Sequence, residues 1–433
     1  MRVERVTWDG EEPAAMAAHL RSAASPPDGL REKVREIVER VRTEGDGALR
    51  ELTAELDATD EPPGNIRVPD DEISQAHESA DPELVEAMGL AAANIRAVAE
   101  AELRPEPIMV RLEQGHEVRV TEWPVAAAGV YAPGGRAAYP SSVLMGSIPA
   151  RVAGVGRIAL TSPPGPDGRL PAATLVAAHV AGVNEVHALG GAQAIAALAL
   201  GTETIERVDV IAGPGNPWVT EAKRQLYGQV GIDGLAGPSE LIVVADENAG
   251  AREIALDALA QAEHGADSPI AVVSTGHALL EEVAAAIAEL GPDRPSVADA
   301  PLALVEVPSL EAALALSDAF APEHLELCVD GAAELAAERI AGCVFVGESG
   351  ATAFGDYAAG SNHILPTGGA ARFSGPLGVH SFMRRTSVVD LPRDAAHQLA
   401  PAVDAFAQAE GLPVHGESTR ARVTSETVNL RVD

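Results

Sequence analysis

Short apolar segments that alternate with alanine-rich segments constrain the fold of this chain more than any other feature. From Val125 onward, each apolar segment leads into a glycine- or proline-bearing turn and then into a helical pattern. The strand candidates are residues 128–131, 158–161, 185–189 and 208–211, followed by 240–245, 270–274, 304–307, 325–329 and 343–346. Strands that alternate with helices predict βαβ units and parallel sheets.

The alternation falls into two blocks, 129–235 and 236–378, which we expect to form two Rossmann-like layers. A chain of 433 residues also exceeds the size of a typical single core. Residues 1–27 are predicted to be an N-terminal arm, and residues 28–128 a helical and hairpin part that packs with the second block. Residues 379–433 are predicted to form a C-terminal domain.

Local patterns in the flanking segments predict further elements. Apolar residues at helical spacing from Leu30 to Val41 predict a long helix, and Asp81-Pro82 is typical of a helix start. Alternation over 109–123 predicts a β-hairpin. Residues 393–410 predict an amphipathic helical stretch that Pro401 should kink or split, and 425–432 a possible strand.

Composition excludes several classes of function. With 64 acidic and 31 basic side chains, the net charge is −33, which disfavours nucleic acid as a partner. No uninterrupted apolar run is long enough to predict a membrane span. The two cysteines, Cys328 and Cys343, can form neither a disulfide framework nor a thiolate zinc site. The chain opens without a leader-like segment, so we expect a cytoplasmic protein.

Glycine-rich turns follow three of the strand candidates in the first block, although the usual dinucleotide fingerprint is missing. These turns are Tyr131-Ala-Pro-Gly-Gly135, Leu189-Gly-Gly-Ala-Gln193 and Ala212-Gly-Pro-Gly-Asn216. Backbone N–H groups at such turns can hold a phosphate against a helix N-terminus. Each turn by itself is equally compatible with a tight strand-to-helix connection, but three at successive strand ends favour a ligand at that edge.

Histidine, carboxylate and amide side chains are dispersed over the second block and the C-terminal segment. Gln261 and His264 are three residues apart and share a helical face. Two imidazoles and a carboxylate suit zinc, with Gln261 as an additional oxygen ligand. Spacing alone leaves open whether these residues share a metal or whether His264 only stabilises a helix end. The other candidates are Glu323, His324, Asp356, His363, Glu410 and His415.

Seven blocks of the chain resemble, in the same order, blocks of the histidinol dehydrogenase family. They begin at Val130 (VYAPGG), Tyr139 (YPSSVLM), Ala212 (AGPGN), Ala236 (AGPSE), Ala260 (AQAEHG), Ala321 (APEHLE) and Gly355 (GDYAAGSNHILPTGG). The resemblance covers nearly the whole chain. It implies oxidation of L-histidinol through L-histidinal to L-histidine with two NAD and zinc, the last step of histidine biosynthesis.

Carried onto matching positions, the resemblance implies roles for individual residues. The zinc ligands would be Gln261, His264, Asp356 and His415, and the catalytic pair would be Glu323 and His324. The positions implied to contact L-histidinol are Ser239, Gln261, His264, His324, Asp356, Glu410 and His415. The NAD contacts would be Tyr131, Gln193 and Asn216, and His363 is a further candidate for substrate contact.

The family architecture implies an α/β fold with two incomplete Rossmann-like parallel-sheet domains plus small N- and C-terminal segments. NAD would be contacted by 129–235, whereas 236–378 would carry one zinc per subunit and the catalytic residues. The family forms an intertwined homodimer in which the C-terminal segment, here 379–433, reaches the partner's active site. Glu410 and His415 would then come from the other chain.

The residue types suit this chemistry. Zinc would orient the amine and imidazole of histidinol, His324 would accept the hydroxyl proton, and Glu323 would activate the water that hydrates the aldehyde. Aldehyde oxidation often uses a cysteine nucleophile, but Cys328 and Cys343 fall on apolar strands and are expected to be core thiols.

Several candidate residues also have ordinary structural explanations, and two rival functions are compatible with the fold. Glu323 fits a first-turn helix acid, Ser239 a turn residue, Tyr131 a packing residue and Glu410 a solvated acid. One rival is a related dehydrogenase of another small alcohol, such as a sulfonated diol, which Glu410 would repel. Another is a non-catalytic nucleotide-binding protein, against which the pair Glu323-His324 argues.

Overall fold

The computed structural model describes residues 1–22, 29–57, 64–104, 106–134 and 137–424. The chain divides into two compact units. The first comprises Met1–Glu102 and Val125–Phe382, and the second comprises Leu103–Pro124 and Met383–Asp433. The predicted strand at 425–432 lies outside the described residues.

The helices of the described chain vary from short turns to a 21-residue helix, and none of them is long and apolar enough to cross a membrane. They are α1 (Pro13–Arg21), α2 (Leu30–Glu44), α3 (Asp46–Leu56), α4 (Asp70–Glu78), α5 (Pro82–Glu102), α6 (Pro140–Val152), α7 (Ala172–Ala181), α8 (Gly191–Leu200), α9 (Pro217–Leu226), α10 (Ala251–Ala262), α11 (His277–Leu290), α12 (Leu310–Phe320), α13 (Ala332–Ala336), α14 (Thr352–Tyr357), α15 (Arg393–Ala409) and α16 (Pro413–Thr424).

The strands build three sheets. They are β1 (Arg2–Thr7), β2 (Ile108–Arg111), β3 (Glu117–Pro124), β4 (Ala127–Tyr131), β5 (Arg157–Ser162), β6 (Glu185–Ala188), β7 (Val210–Ala212), β8 (Gly231–Ile232), β9 (Leu241–Ala245), β10 (Ile270–Ser274), β11 (Pro301–Glu306), β12 (His324–Cys328), β13 (Cys343–Val346) and β14 (Met383–Asp390). Every strand candidate of the two blocks is confirmed, with shifts of a few residues at the ends.

Both large sheets lie in the first unit and are parallel throughout. One has five strands in the order β6-β5-β4-β7-β8. The other has six strands in the order β1-β11-β10-β9-β12-β13. Their central strands are buried on both faces, which explains their nearly continuous apolar sequences. The predicted α/β class with two Rossmann-like sheets is therefore confirmed.

The segment predicted as an N-terminal arm contains an edge strand and a helix. Strand β1 pairs with β11, and Trp8, Ala17 and Leu20 pack into the apolar layer that covers one face of the six-stranded sheet. The strand sequence RVERVT is mostly exposed and rich in charge. Charged side chains are common on edge strands, and they erase the apolar pattern by which strands are found in a sequence.

Helices α2 to α5 pack against the helices of the five-stranded sheet, so the expectation that this part of the chain packs with the second block is wrong. Leu30, Val34 and Val41 of α2 share one buried cluster with Ile195 and Leu198 of α8. Helix α4 contacts α7, and α5 contacts α6 and α7. The predicted start of α5 is confirmed, since the Asp81 carboxylate accepts a hydrogen bond from the Glu83 N–H.

The second unit contains an antiparallel sheet and a helical pair. The predicted hairpin is formed by β2 and β3, and β14 pairs with the other edge of β3. Helix α15 runs through Pro401 without a break, so the expected split does not occur. Helix α16 packs against α15 and was not predicted, because its sequence lacks an apolar stripe.

Candidate active site

A cavity of about 750 Å³ opens between the two parallel sheets of the first unit. It is lined by Gly134 and Asn216, which follow β4 and β7, and by Ser239 and Glu323, which precede β9 and β12. The cavity thus joins the carboxyl edge of one sheet to the amino edge of the other. Strands β4 and β7 flank the topological switch point of the five-stranded sheet, the place where open α/β sheets bind ligands.

The pair Glu323-His324 lies at the centre of the cavity wall and is buried. His324 begins β12, and its Nδ1 lies 3.4 Å from the Glu323 carboxylate and 3.3 Å from the Glu240 carbonyl oxygen. Its Nε2 lies 3.6 Å from the Asp356 carboxylate. Because Glu323 precedes a strand, the explanation of this residue as a first-turn helix acid is wrong. His324 is instead held between two carboxylates.

Ser239 and Gln261 support the Glu323 carboxylate. The Ser239 hydroxyl and the Glu240 N–H both donate to Oε2 of Glu323, at 2.5 and 2.9 Å. The Gln261 amide nitrogen donates in turn to the Ser239 oxygen at 2.7 Å. Ser239 is therefore part of a hydrogen-bonded chain that fixes the orientation of Glu323, which a plain turn residue would not do.

His363 connects Asp356 to the other side of the cavity. Its Nδ1 lies 2.8 Å from the Asp356 carbonyl oxygen, and its Nε2 lies 3.0 Å from the Ser142 hydroxyl on α6. The sequence identified His363 only as a candidate, and it assigned no role to Ser142. These contacts fix the position of the Asp356 backbone.

The electrostatic surroundings shift the proton affinity of the central pair. Burial disfavours a charged imidazole, but the carboxylates of Glu323 and Asp356 outweigh it and raise the pKa of His324 to about 9. Burial also raises the pKa of Glu323, against the attraction of His324. At Asp356, burial is outweighed by the hydrogen bond and charge of His324, and the pKa falls. The surroundings therefore stabilise the imidazolium form of His324, the form it takes after it accepts a proton.

Three of the candidate metal ligands lie on or beside this cavity. His264 and Asp356 line it, and the Gln261 side chain is buried next to Ser239. Glu410 directly follows α15 and His415 lies in α16, and both are exposed in the second unit. Within the described residues, no group of three or more His, Cys, Asp or Glu side chains is arranged to hold a metal ion.

The candidate NAD residues occupy different positions on the five-stranded sheet. Asn216 lines the cavity and caps α9, where its oxygen accepts from the N–H groups of Trp218 and Val219. Tyr131 ends β4 and is fully buried, with its hydroxyl accepting from the Gly191 N–H at 3.2 Å. Gln193 lies in the first turn of α8 and is also buried.

A buried ion pair supports the turn that carries Asn216 and was not predicted from the sequence. Lys223 Nζ lies 2.7 Å from the Asp233 carboxylate and donates to the Gly213 carbonyl oxygen at 2.5 Å. Asp233 accepts from the Gly213 N–H at 2.7 Å. The backbone N–H and the carbonyl oxygen of Gly213 are thus both held. The scarcity of lysine, found only at Lys33 and Lys223, was the one available signal.

The two cysteines end and begin the paired strands β12 and β13, and both are free thiols. Burial raises the pKa of Cys328 to about 12 and raises that of Cys343 as well. A thiol with a raised pKa is a poor nucleophile at neutral pH. The interpretation of both cysteines as core thiols agrees with these surroundings.

Comparison with known proteins gives one consistent result. The sequence profile of the histidinol dehydrogenase family matches residues 20–423. A histidinol dehydrogenase from Parasynechococcus marenigrum is 44% identical over 414 residues, which cover 93% of each chain. One from Synechococcus sp. is 46% identical over 400 residues, covering 90% of this chain and 92% of the relative.

A solved structure agrees with the sequence comparison. The crystal structure of histidinol dehydrogenase from Elizabethkingia anophelis superposes with a TM-score of 0.90 and 32% identity, and 98% of each chain is covered. With the same family found along nearly the full length in sequence and in structure, the chain belongs to the histidinol dehydrogenase family.

Proposed function

We propose that this protein oxidises L-histidinol through L-histidinal to L-histidine, with NAD as hydride acceptor and zinc as the bound metal, in the last step of histidine biosynthesis. The observation that carries the proposal is the buried pair Glu323-His324, held between Ser239 and Asp356 on the wall of one cavity.

His324 would serve as the base in both oxidations. When the imidazole is neutral, Nδ1 is the better placed of its two nitrogens to keep the proton, because it faces both the Glu240 carbonyl oxygen and the Glu323 carboxylate. The lone pair is then on Nε2. Nε2 then accepts the proton of the alcohol, and later that of the hydrated aldehyde, as hydride leaves the same carbon. The carboxylates of Glu323 and Asp356 stabilise the imidazolium that forms.

Glu323 would act between the two hydride transfers. The aldehyde must be hydrated before it can lose a second hydride, and a carboxylate beside it can take a proton from the attacking water. Ser239 and the Glu240 N–H hold one oxygen of Glu323, which leaves its other oxygen to contact the water. Burial of Glu323 raises its pKa and makes it a better base than an exposed carboxylate.

The residues at the cavity fit zinc. Desolvation by the cavity walls lowers the pKa of His264, which keeps its imidazole neutral and able to ligate. The Gln261 nitrogen donates to Ser239, so its oxygen is the atom available to a metal. With Asp356, and with His415 from the C-terminal segment, these side chains form the proposed ligand set. Zinc there would supply a template that orients the amine and imidazole of histidinol.

NAD would bind along the carboxyl edge of the five-stranded sheet. The cavity reaches the switch point between β4 and β7, where Gly134 and Asn216 line it. The buried oxygen Oε1 of Gln193 has no hydrogen-bond partner, which is unusual for a buried amide and is explained if a ligand donates to it. Tyr131, Gln193 and Asn216 are the proposed contacts.

The proposed roles are assigned to successive segments of the chain. Residues 129–235 contact NAD, 236–378 carry zinc and the catalytic pair, and 379–433 reach the partner in a homodimer with shared sites. Glu410 and His415 would therefore complete the active site of the other subunit. We further propose a cytoplasmic location, in keeping with the free thiols Cys328 and Cys343.

The alternative is a related zinc- and NAD-dependent dehydrogenase of another small alcohol. Glu410 favours a cationic amine or imidazolium and would repel a sulfonate. A test compares NADH formation from L-histidinol and from a sulfonated diol, before and after metal removal with a chelator. We expect NADH from L-histidinol alone, its loss on chelation with the helical circular dichroism retained, and its return with zinc. Turnover of the diol, or full activity without metal, would refute the proposal.

A further inference from the structure

A polar cluster that contains Asp57 lies at the start of α8, beside the edge of the cavity. Asp57 follows α3 and is half-buried, and one of its carboxylate oxygens accepts from the Gln193 amide nitrogen at 3.3 Å. The Gly190 N–H also donates to it. A residue from outside the five-stranded sheet thus contacts the glycine turn after β6.

Contacts through Pro163 connect this cluster to the cavity. A Cβ atom at Gly134, which lines the cavity, would lie 2.6 Å from Pro163 Cγ. A Cβ at Gly190 would lie 2.5 Å from Pro163 Cβ and 2.8 Å from Asp57 Oδ1. Only glycine fits at both positions, so the backbone of the two turns and the Asp57 carboxylate are closely packed around one proline.

Two side-chain groups of the described part of this cluster, the Asp57 carboxylate and the Gln193 oxygen, are acceptors. Two N–H groups at the start of α8 are already engaged, that of Gly190 by Asp57 and that of Gly191 by the Tyr131 hydroxyl. Gln193 is 1% exposed, and its Oε1 has no partner. A phosphate needs donors, whereas the carboxylate of Asp57 and the oxygen of Gln193 both require a ligand that donates. Sugar hydroxyls meet this requirement.

We propose that Asp57 is the residue that selects NAD over NADP, by accepting a hydrogen bond from the 2′-hydroxyl of the adenosine ribose. A carboxylate at this position favours the free hydroxyl and repels a 2′-phosphate. The inference rests on the proposed use of NAD at this sheet edge. It adds a residue from the helical part of the chain to the cofactor site.

The electrostatics of Asp57 agree with this role at neutral pH. Burial raises its pKa to about 6, against the opposing hydrogen bonds from Gly190 and Gln193. The carboxyl group is therefore ionised above this pH, and at neutral pH it would repel the negatively charged 2′-phosphate of NADP.

The test measures binding of NAD⁺ and NADP⁺ by titration calorimetry to the wild-type protein and to two variants, Asp57→Asn and Asp57→Ser. Asparagine keeps the shape and one acceptor oxygen of the side chain without its charge, and serine shortens the side chain as well. Glu55→Gln, at an exposed position in the last turn of α3, is the matched control. We expect the wild type to bind NAD⁺ at least about 10-fold more tightly than NADP⁺, and either variant to reduce that ratio about 10-fold or more, mainly through weaker NAD⁺ binding.

Two results would overturn the proposal. One is equal affinity of the wild type for the two nucleotides, a result that does not depend on whether any variant folds. The other is an unchanged affinity ratio in the variants, whatever their unfolding temperature, and a lower unfolding temperature would then show that Asp57 is only a structural contact. A wild type that binds neither nucleotide would instead refute the proposed use of NAD.

Discussion

Replacing Lys223 by methionine should destabilise the protein far more than the loss of one surface charge. The Lys223 and Asp233 side chains are 3% and 8% exposed, and their charged atoms are 2.7 Å apart. Removing one partner of a buried pair leaves an uncompensated charge, which costs about 3–5 kcal/mol. The variant also loses the hydrogen bond from Nζ to the Gly213 carbonyl oxygen. We therefore expect the free energy of unfolding to fall by about 3–5 kcal/mol.

The assay is urea unfolding followed by circular dichroism, with Arg252→Met as the control. Arg252 pairs with Glu289 at 3.4 Å, but their side chains are 58% and 72% exposed. Such a pair contributes about 0–1 kcal/mol. A loss for Lys223→Met that equals the loss for the control would refute the argument that this pair holds the turn after β7.

Three further predictions address the site, the backbone and the assembly. In the metal-free protein, Asp356→Asn should lower the pKa of His324 from about 9 in an NMR titration. The raised pKa stabilises the fold fully below the unfolded-state value of about 6.5, and this stabilisation is lost as the pH rises through 9. The free energy of unfolding of the variant should therefore fall less than that of the wild type between these two pH values. An unchanged pKa of His324 would count against the contact with the Asp356 carboxylate. Gly213→Ala should strongly lower the thermal unfolding temperature, because the φ of Gly213 is +123° and a Cβ would lie 2.0 Å from the Tyr131 carbonyl oxygen. Gly89→Ala, on a helix and in open space, should instead stabilise the protein by about 0.5–1 kcal/mol. Equal effects of the two substitutions would contradict this prediction. Mixed His415→Ala and His324→Ala subunits should regain activity in about a quarter of all sites if the sites are shared, and persistent inactivity after confirmed subunit exchange would place His415 in its own chain's site.

The fold was predictable where burial fixes the sequence pattern. Strands such as β9 and β10 are buried on both faces, and their apolar runs were recognised directly. Strand β1 was missed because its exposed, charged sequence follows from its position at a sheet edge, which only the tertiary structure defines. The packing of α2 on α8 was missed for the same reason, since an apolar stripe does not specify its partner.

The site was predictable in its residues but not in its arrangement. Spacing gave no reason to bring Ser239 beside Glu323, because the two are 84 positions apart. They meet because β9 and β12 are neighbours in the sheet, with Leu241 opposite His324. The family resemblance supplied the roles of the site residues. Asp57 was not identified, because its contacts to the turn at Gly190 arise from packing between distant segments.

The measurement that tests the account most directly is single-turnover NADH formation by Glu323→Gln and His324→Asn, with L-histidinol and then L-histidinal as substrate. If His324 is the base in both oxidations, His324→Asn should slow NADH formation from both substrates by about 10²- to 10⁴-fold. If Glu323 activates only the hydrating water, Glu323→Gln should oxidise the alcohol at nearly the wild-type rate and the aldehyde at least about 10²-fold more slowly. Equal slowing of alcohol and aldehyde oxidation by Glu323→Gln would contradict the division of roles between the two residues.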